Sequence, residues 1–155
     1  EANKFAEKNG MEPIRISQIN YSLAHSSVET FGDNTLVCMD TKEFRWYKKH
    51  DFPVMAFSPQ AKGFFAKLAK GDAANNLPEG QYAGPANLAR LAKVKQLSEQ
   101  TGDTPAKITL GYLNSQPFFV SSVFAVTKLW QLDEDMEAQD LTYDPKTVAF
   151  LENMI

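Results

Sequence analysis

A single cysteine, Cys38, and only two histidines, His25 and His50, leave little material for a disulfide framework or a metal cluster. One thiol cannot close an internal disulfide, and neither histidine has a Cys, His or carboxylate at ligand spacing. Both read as ordinary polar residues. Cys38 has no activating base near it in the sequence and reads as inert. Long apolar runs are missing too, which excludes a helical span of a bilayer. No stretch at the start has the pattern of a secretory signal, although the chain opens at Glu1 as if its natural start were elsewhere. A reducing, cytoplasmic setting is the expectation. No charge of one sign dominates: the net charge is -3, and the basic residues are scattered apart from Lys48 and Lys49, which argues against a nucleic-acid surface. Repeats and low-complexity tracts are absent. What remains is a 155-residue chain of ordinary composition, 43% hydrophobic, long enough for one domain with a core.

Helical and strand-like segments alternate. Ala2, Phe5 and Ala6 share a helical face ahead of Gly10, a good C-cap. Ile14 to Tyr21 reads as a strand, and Ser22 to Met39 as a Ser- and Gly-rich loop. Asp40 followed by Glu43 makes a capping box for a helix that carries Phe44 and Tyr47. Val54 to Phe57 is short and continuously apolar, as suits a buried parallel strand. Gly, Asn, Ala and Pro make 70–85 read as a mobile surface loop. Leu88, Leu91, Val94 and Leu97 recur every three residues and predict a helix ending near Gly102. Thr104 and Pro105 open another. Phe118 to Phe124 is a third strand, Lys128 to Ala138 a helix, and Asp144-Pro145 starts the last one. Strands separated by helices imply an α/β fold with parallel βαβ units. Three legible strands cannot close a barrel of eight.

In order and wording these segments resemble the aldo-keto reductases, a family of NADP-dependent (β/α)8 TIM barrels. Gln18-Ile19-Asn20-Tyr21-Ser22-Leu23 looks like the sixth barrel strand of that family, and Val54-Met55-Ala56-Phe57-Ser58-Pro59 like the seventh. Lys62-Gly63-Phe64-Phe65 looks like the loop that follows. Thr104 to Ile108 resembles the start of the penultimate helix, Phe119 to Ala125 the eighth strand, and Thr127 to Ala138 the helix beside the adenosine end of the cofactor. The resemblance covers essentially the whole chain and implies a partial barrel, its C-terminal half. It also implies that the family's catalytic Asp, Tyr, Lys and His precede Glu1, so that no catalytic residue falls within this chain.

Site residues follow from the resemblance position by position. Gln18 matches the side-chain amide that holds the nicotinamide carboxamide, a role that needs donor and acceptor together. Phe57 matches the aromatic that stacks on the nicotinamide ring. Read without the resemblance, Gln18 is a polar strand end and Phe57 a core residue. Ser58, Gln60 and Lys62 match the loop that meets the pyrophosphate, where an ammonium suits a phosphate; a solvated surface lysine is the alternative. Ala125 stands where many relatives have Gly, Gln131 where many have Arg for the 2′-phosphate, and Asp135 where Asn commonly reads adenine. The helix N-terminus near Thr127 favours a phosphate. Asp133, Glu134 and Asp135 fall in the first half of a helix, where its dipole favours them, and are not read as a metal site.

The expectation is therefore the mainly cofactor-binding half of an NADP(H)-dependent carbonyl reductase, inactive alone. Its bare inner face and sheet edges would be covered by the missing first half or by a homo-oligomeric partner. A rival from another class is a non-catalytic half-barrel that binds a partner chain or a nucleotide. An aldehyde or ketone would be the substrate of the full protein, with no nucleic acid and no membrane as partner.

Overall fold

The computed structural model describes residues 1–71 and 82–152. Three four-residue strands, β1 (Ser17–Asn20), β2 (Val54–Phe57) and β3 (Val120–Val123), form one parallel sheet in the order β1-β2-β3. The expected parallel arrangement is observed. The first strand is shorter than Ile14 to Tyr21: pairing begins at Ser17, opposite Val54, and Pro53 ahead of β2 offers no N–H to extend the ladder. Its carbonyl does accept from Ser17 N at 3.1 Å.

Register decides what each face does. Ile19, Ala56 and Ser122 lie side by side, as do Ser17, Val54 and Val120. On this face Val54 and Ala56 are fully buried. Strand alternation puts Gln18, Met55 and Ser121 on the opposite face, with Asn20, Phe57 and Val123 in the next row. That second face is the more open one: Gln18 is exposed, Met55 and Phe57 are half-buried, and Val123 is 42% exposed. The outer edge of β1 is partly covered, because Asn20 N donates to Val37 O and Met39 N donates to Asn20 O.

Helices make up most of the remaining fold, and several of them contribute side chains to the core. They are α1 (Ala2–Lys8), α2 (Val28–Phe31), α3 (Thr41–His50), α4 (Phe64–Ala69), α5 (Pro85–Thr101), α6 (Pro105–Asn114), α7 (Leu129–Glu137) and α8 (Pro145–Glu152). Their ends follow the sequence signals. Asp40 accepts from Glu43 N at 2.8 Å, Thr104 Oγ1 accepts from Lys107 N, and Asp144 accepts from Lys146 N and Thr147 N. Gly102 closes α5 at φ 80°, a left-handed conformation that glycine adopts without strain. Short α2 and α4 replace what reads as loop. Residues 72–81, the interior of the expected loop 70–85, lie outside the described residues. Its far end is anchored, since Tyr82 is buried and its carbonyl accepts from Asn87 at 2.9 Å.

The apolar stripe of α5 is only half right. Val94 and Leu97 are buried, but Leu88 is 44% exposed. A strict three-residue step falls behind a 3.6-residue helix, so Leu88 and Leu97, nine residues apart, point to opposite sides. The core gathers Val54, Ala56, Phe64, Phe65, Val94, Ile108, Leu113 and Leu151. Residues 141–143 pack on α6 at Gly111, where a Cβ would meet Tyr143 at 2.8 Å and Leu141 at 2.9 Å.

Gly111→Ala should therefore destabilise the fold. Overpacking of this kind costs about 1–3 kcal/mol, and the helix propensity gained recovers about 1 kcal/mol. Urea denaturation should show the midpoint lowered with its slope unchanged; an unchanged or raised midpoint would mean that the 141–143 segment yields freely.

Candidate functional site

Because all three strands run the same way, their C-terminal ends lie along one edge of the sheet. The segments after β2 and β3 leave from that edge and form a cleft of about 620 Å³ between them. One wall runs from Ser58 to Lys70, the other from Val123 to Asp135, and the first residues of α6 (Pro105, Ala106, Thr109) close the third side.

The first wall is a tight, strained turn. Ser58, Ala61 and Lys62 have φ of 52°, 50° and 56°, and Gly63 has 81°. Each non-glycine residue held there costs about 1–2 kcal/mol. Such outliers persist only where the surroundings over-determine them. Here Pro59, Ala61, Phe64 and Phe65 are buried around the turn, and Ala61 N and Gly63 N donate back to Ser58 O and Gln60 O, both at 2.9 Å. The turn brings Lys62 to the cleft, and α4 with its C-cap brings Lys67 and Lys70.

The second wall is α7 and the segment before it. Lys70 Nζ lies 5.1 Å from the centroid of the Trp130 ring, a cation–π contact that joins the two walls. Gln60 Nε2 donates to Asp135 Oδ1 at 2.6 Å and joins them again. Asp135 is buried, and its carboxyl is raised above the ordinary carboxylate range: burial disfavours the charge, the Gln60 donor opposes that shift, and neighbouring Glu134 adds to it. Gln131 reaches back along its own helix. Its Oε1 accepts from Thr127 N at 3.0 Å and Lys128 N at 2.9 Å, the reciprocal half of a capping box.

Seven of the nine residues that the resemblance marks, Ser58, Gln60, Lys62, Ala125, Thr127, Gln131 and Asp135, line this one cleft. Gln18 and Phe57 do not: they lie on the open face of the sheet, Gln18 in the strand farthest from β3. The acidic residues 133–135 sit in the middle of α7 rather than its first half, since the helix starts at Leu129, so the dipole of the first turn does not account for them. Lys67, Lys70, Trp130 and Glu134 escaped sequence reasoning. The available signal was Lys62, Lys67 and Lys70 within nine residues, spaced to share one side of a turn and a short helix. Among the described residues no group of three or more His, Cys, Asp or Glu is placed to hold a metal ion, and no helix is long and apolar enough to cross a membrane.

Comparison with known proteins bears on the same architecture. The model of the aldo/keto reductase family matches residues 1–155. Among solved structures, the chain is similar to a thermostable aldo-keto reductase, Tm1743, crystallised with the inhibitor epalrestat, at 15% identity and a TM-score of 0.61. The match covers 97% of this chain and 43% of that one, so the chain spans less than half the length of that structure. At that identity the likeness speaks for the fold, a partial TIM barrel. The chain belongs to the aldo/keto reductase family.

The Gln60–Asp135 bond makes a pH-dependent prediction. Folding raises the pKa of Asp135, so the ionised carboxylate costs stability at neutral pH, and this cost fades as pH falls through the folded-state pKa. Gln60→Leu removes the donor and raises that pKa further. It should cost about 1–3 kcal/mol at neutral pH and clearly less once the carboxyl is protonated. Thermal melts of both proteins across acidic to neutral pH measure the difference; a loss independent of pH would assign it to packing instead.

Proposed function

We propose that this chain is the C-terminal, mainly cofactor-binding half of an aldo-keto reductase-type oxidoreductase that moves hydride between a nicotinamide dinucleotide and an aldehyde or ketone. NADP(H) is the cofactor that the family resemblance implies. The observation that carries the reading is the cleft at the strand ends, where three lysines face an exposed indole and a buried carboxylate. The donor set suits a dinucleotide: ammonium groups attract a pyrophosphate, an indole offers a stacking face, and carboxylates accept from ribose hydroxyls or an exocyclic amine. When bound, the nicotinamide supplies the hydride. The chain's own residues hold and orient the rest of the molecule.

Two further elements belong to this proposal. The chain alone turns nothing over, because the resemblance assigns the proton donor and its partners to segments outside Glu1–Ile155. Its open sheet face takes the first half of the barrel, or a second copy of the chain, in an aqueous, cytoplasmic setting. Phe119 and Val123, which flank Ser121 on that face, are 63% and 42% exposed. The rival reading, a non-catalytic half-barrel that binds a nucleotide or a partner chain, shares the cleft and differs in the upstream reading frame. Strands ending in Asp, Tyr, Lys and His there favour the reductase.

The test combines binding with turnover. Purified chain should bind a dinucleotide with quenching of tryptophan emission that Trp130→Phe largely removes. It should show no aldehyde-dependent consumption of reduced cofactor. Turnover by the chain alone, or absence of any nucleotide binding by folded chain, would overturn the proposal.

A further inference from the structure

We infer that the protein self-associates through the outward faces of two helices: α3 of one copy docks on α7 of a second, and the reverse. The inference is independent of the dinucleotide reading of the cleft, and it leaves the open sheet face to the first half of the barrel.

Charge is divided unevenly between these helices. α3 carries four cationic side chains, Lys42, Arg45, Lys48 and Lys49, against the single carboxylate of Glu43. α7 carries four carboxylates, Asp133, Glu134, Asp135 and Glu137, and no cation. On α3, Tyr47 is buried and Phe44 packs on the core. Helical periodicity then puts Lys42, Arg45, Trp46 and Lys49 on the side away from the core, and all four are exposed. The two ion pairs among the described residues, Arg15–Glu12 and Lys107–Glu137, involve none of them.

Trp46 sits among these cations, 46% exposed and yet held in place. The His50 ring stacks on it at 4.4 Å, and Tyr47 and Phe52 meet it edge-on at 5.2 and 5.7 Å. His50 Nδ1 also lies 2.8 Å from Trp46 O. An indole already fixed by its neighbours loses little freedom when a partner covers it, and tryptophan is among the strongest interface anchors.

The face of α7 is its complement. Asp135 and Ala138 are buried, and the opposite side shows Leu129, Leu132 and Met136, which are 81%, 38% and 49% exposed. Asp133 is exposed among them, with no hydrogen bond or ion pair among the described residues, whereas Glu137 is engaged by Lys107. The two stripes have the same spacing, since 42, 45, 46 and 49 and 129, 132, 133 and 136 both step by three, one and three. One is an indole among cations; the other is a carboxylate among apolar side chains. Placed face to face, the indole covers the apolar stripe and Asp133 meets Arg45 or Lys49. A two-fold arrangement uses the same pair of faces twice and closes at a dimer. Contacts of single helices make a small interface, which fits weak association screened by salt.

Sedimentation velocity of the purified chain over a concentration series tests this, with circular dichroism to establish folding. At low salt a monomer–dimer equilibrium is expected, and about 1 M salt should weaken it, since charges are then screened within about 3 Å. The pair Arg45→Glu and Lys49→Glu should weaken the dimer about tenfold or more, and so should the pair Asp133→Lys and Met136→Lys. An equimolar mixture of the two double variants should restore it, because both contacts then regain opposite charges. A folded wild-type chain that stays monomeric at low salt would overturn the inference and leave these faces to another partner, the first half of the barrel included. A dimer indifferent to both variants would place the contact elsewhere, and loss in each without recovery in the mixture would overturn the pairing of α3 with α7. Open-ended assemblies would overturn the reciprocal arrangement.

Discussion

The in-register parallel pairing of β2 with both its neighbours is the constraint on which the rest depends. Val54 and Ala56, fully buried, fix β2 against the helices, and the register Phe57 opposite Val123 brings the two strands to an end at the same level. Ser58 and Phe124 therefore leave the sheet side by side, and the segments they begin have to face each other. A slip of one residue would turn Val54 and Ala56 to the open face and take the walls out of alignment. The cleft is thus a consequence of strand register before it is a matter of any particular side chain.

What holds the cleft in shape is the balance at its first wall. Three non-glycine residues in the left-handed region cost about 1–2 kcal/mol each. Burial of Phe64 and Phe65, which directly follow, contributes about 1.5–3 kcal/mol each. The two are of the same order, which is how the strain can persist. The turn aims Lys62 at the cleft while the pair of phenylalanines anchors α4 in the core, so position and stability come from adjacent residues. The second wall is tied to the first through Gln60–Asp135 and Lys70–Trp130, one contact part-buried and one exposed.

Much of the architecture is legible in the sequence because its signals are local. Caps at Asp40, Thr104 and Asp144, the glycine after α5, and the apolar run of β2 depend on neighbouring residues only. The misreadings come where non-local pairing decides. Ile14 and Ile16 alternate like a strand, but β2 has no residues left to pair with them. The spacing from Leu88 to Leu97 looks periodic, yet its period does not match the helix. At the site, the resemblance marked seven positions that line the cleft without revealing what engages them. That Gln131 caps its own helix, that Asp135 is held by Gln60 from 75 residues away, and that Trp130 lies under Lys70 follow only from the meeting of two walls.

The claim that these two walls form one binding site is tested most directly by hydrogen–deuterium exchange with and without saturating dinucleotide. Slowed exchange is expected in two separate stretches, residues 58–70 and 125–135, at the same ligand concentration, with α1 and α3 unchanged. Protection confined to one stretch, or appearing on α1 or α3 while both walls exchange as before, would contradict it.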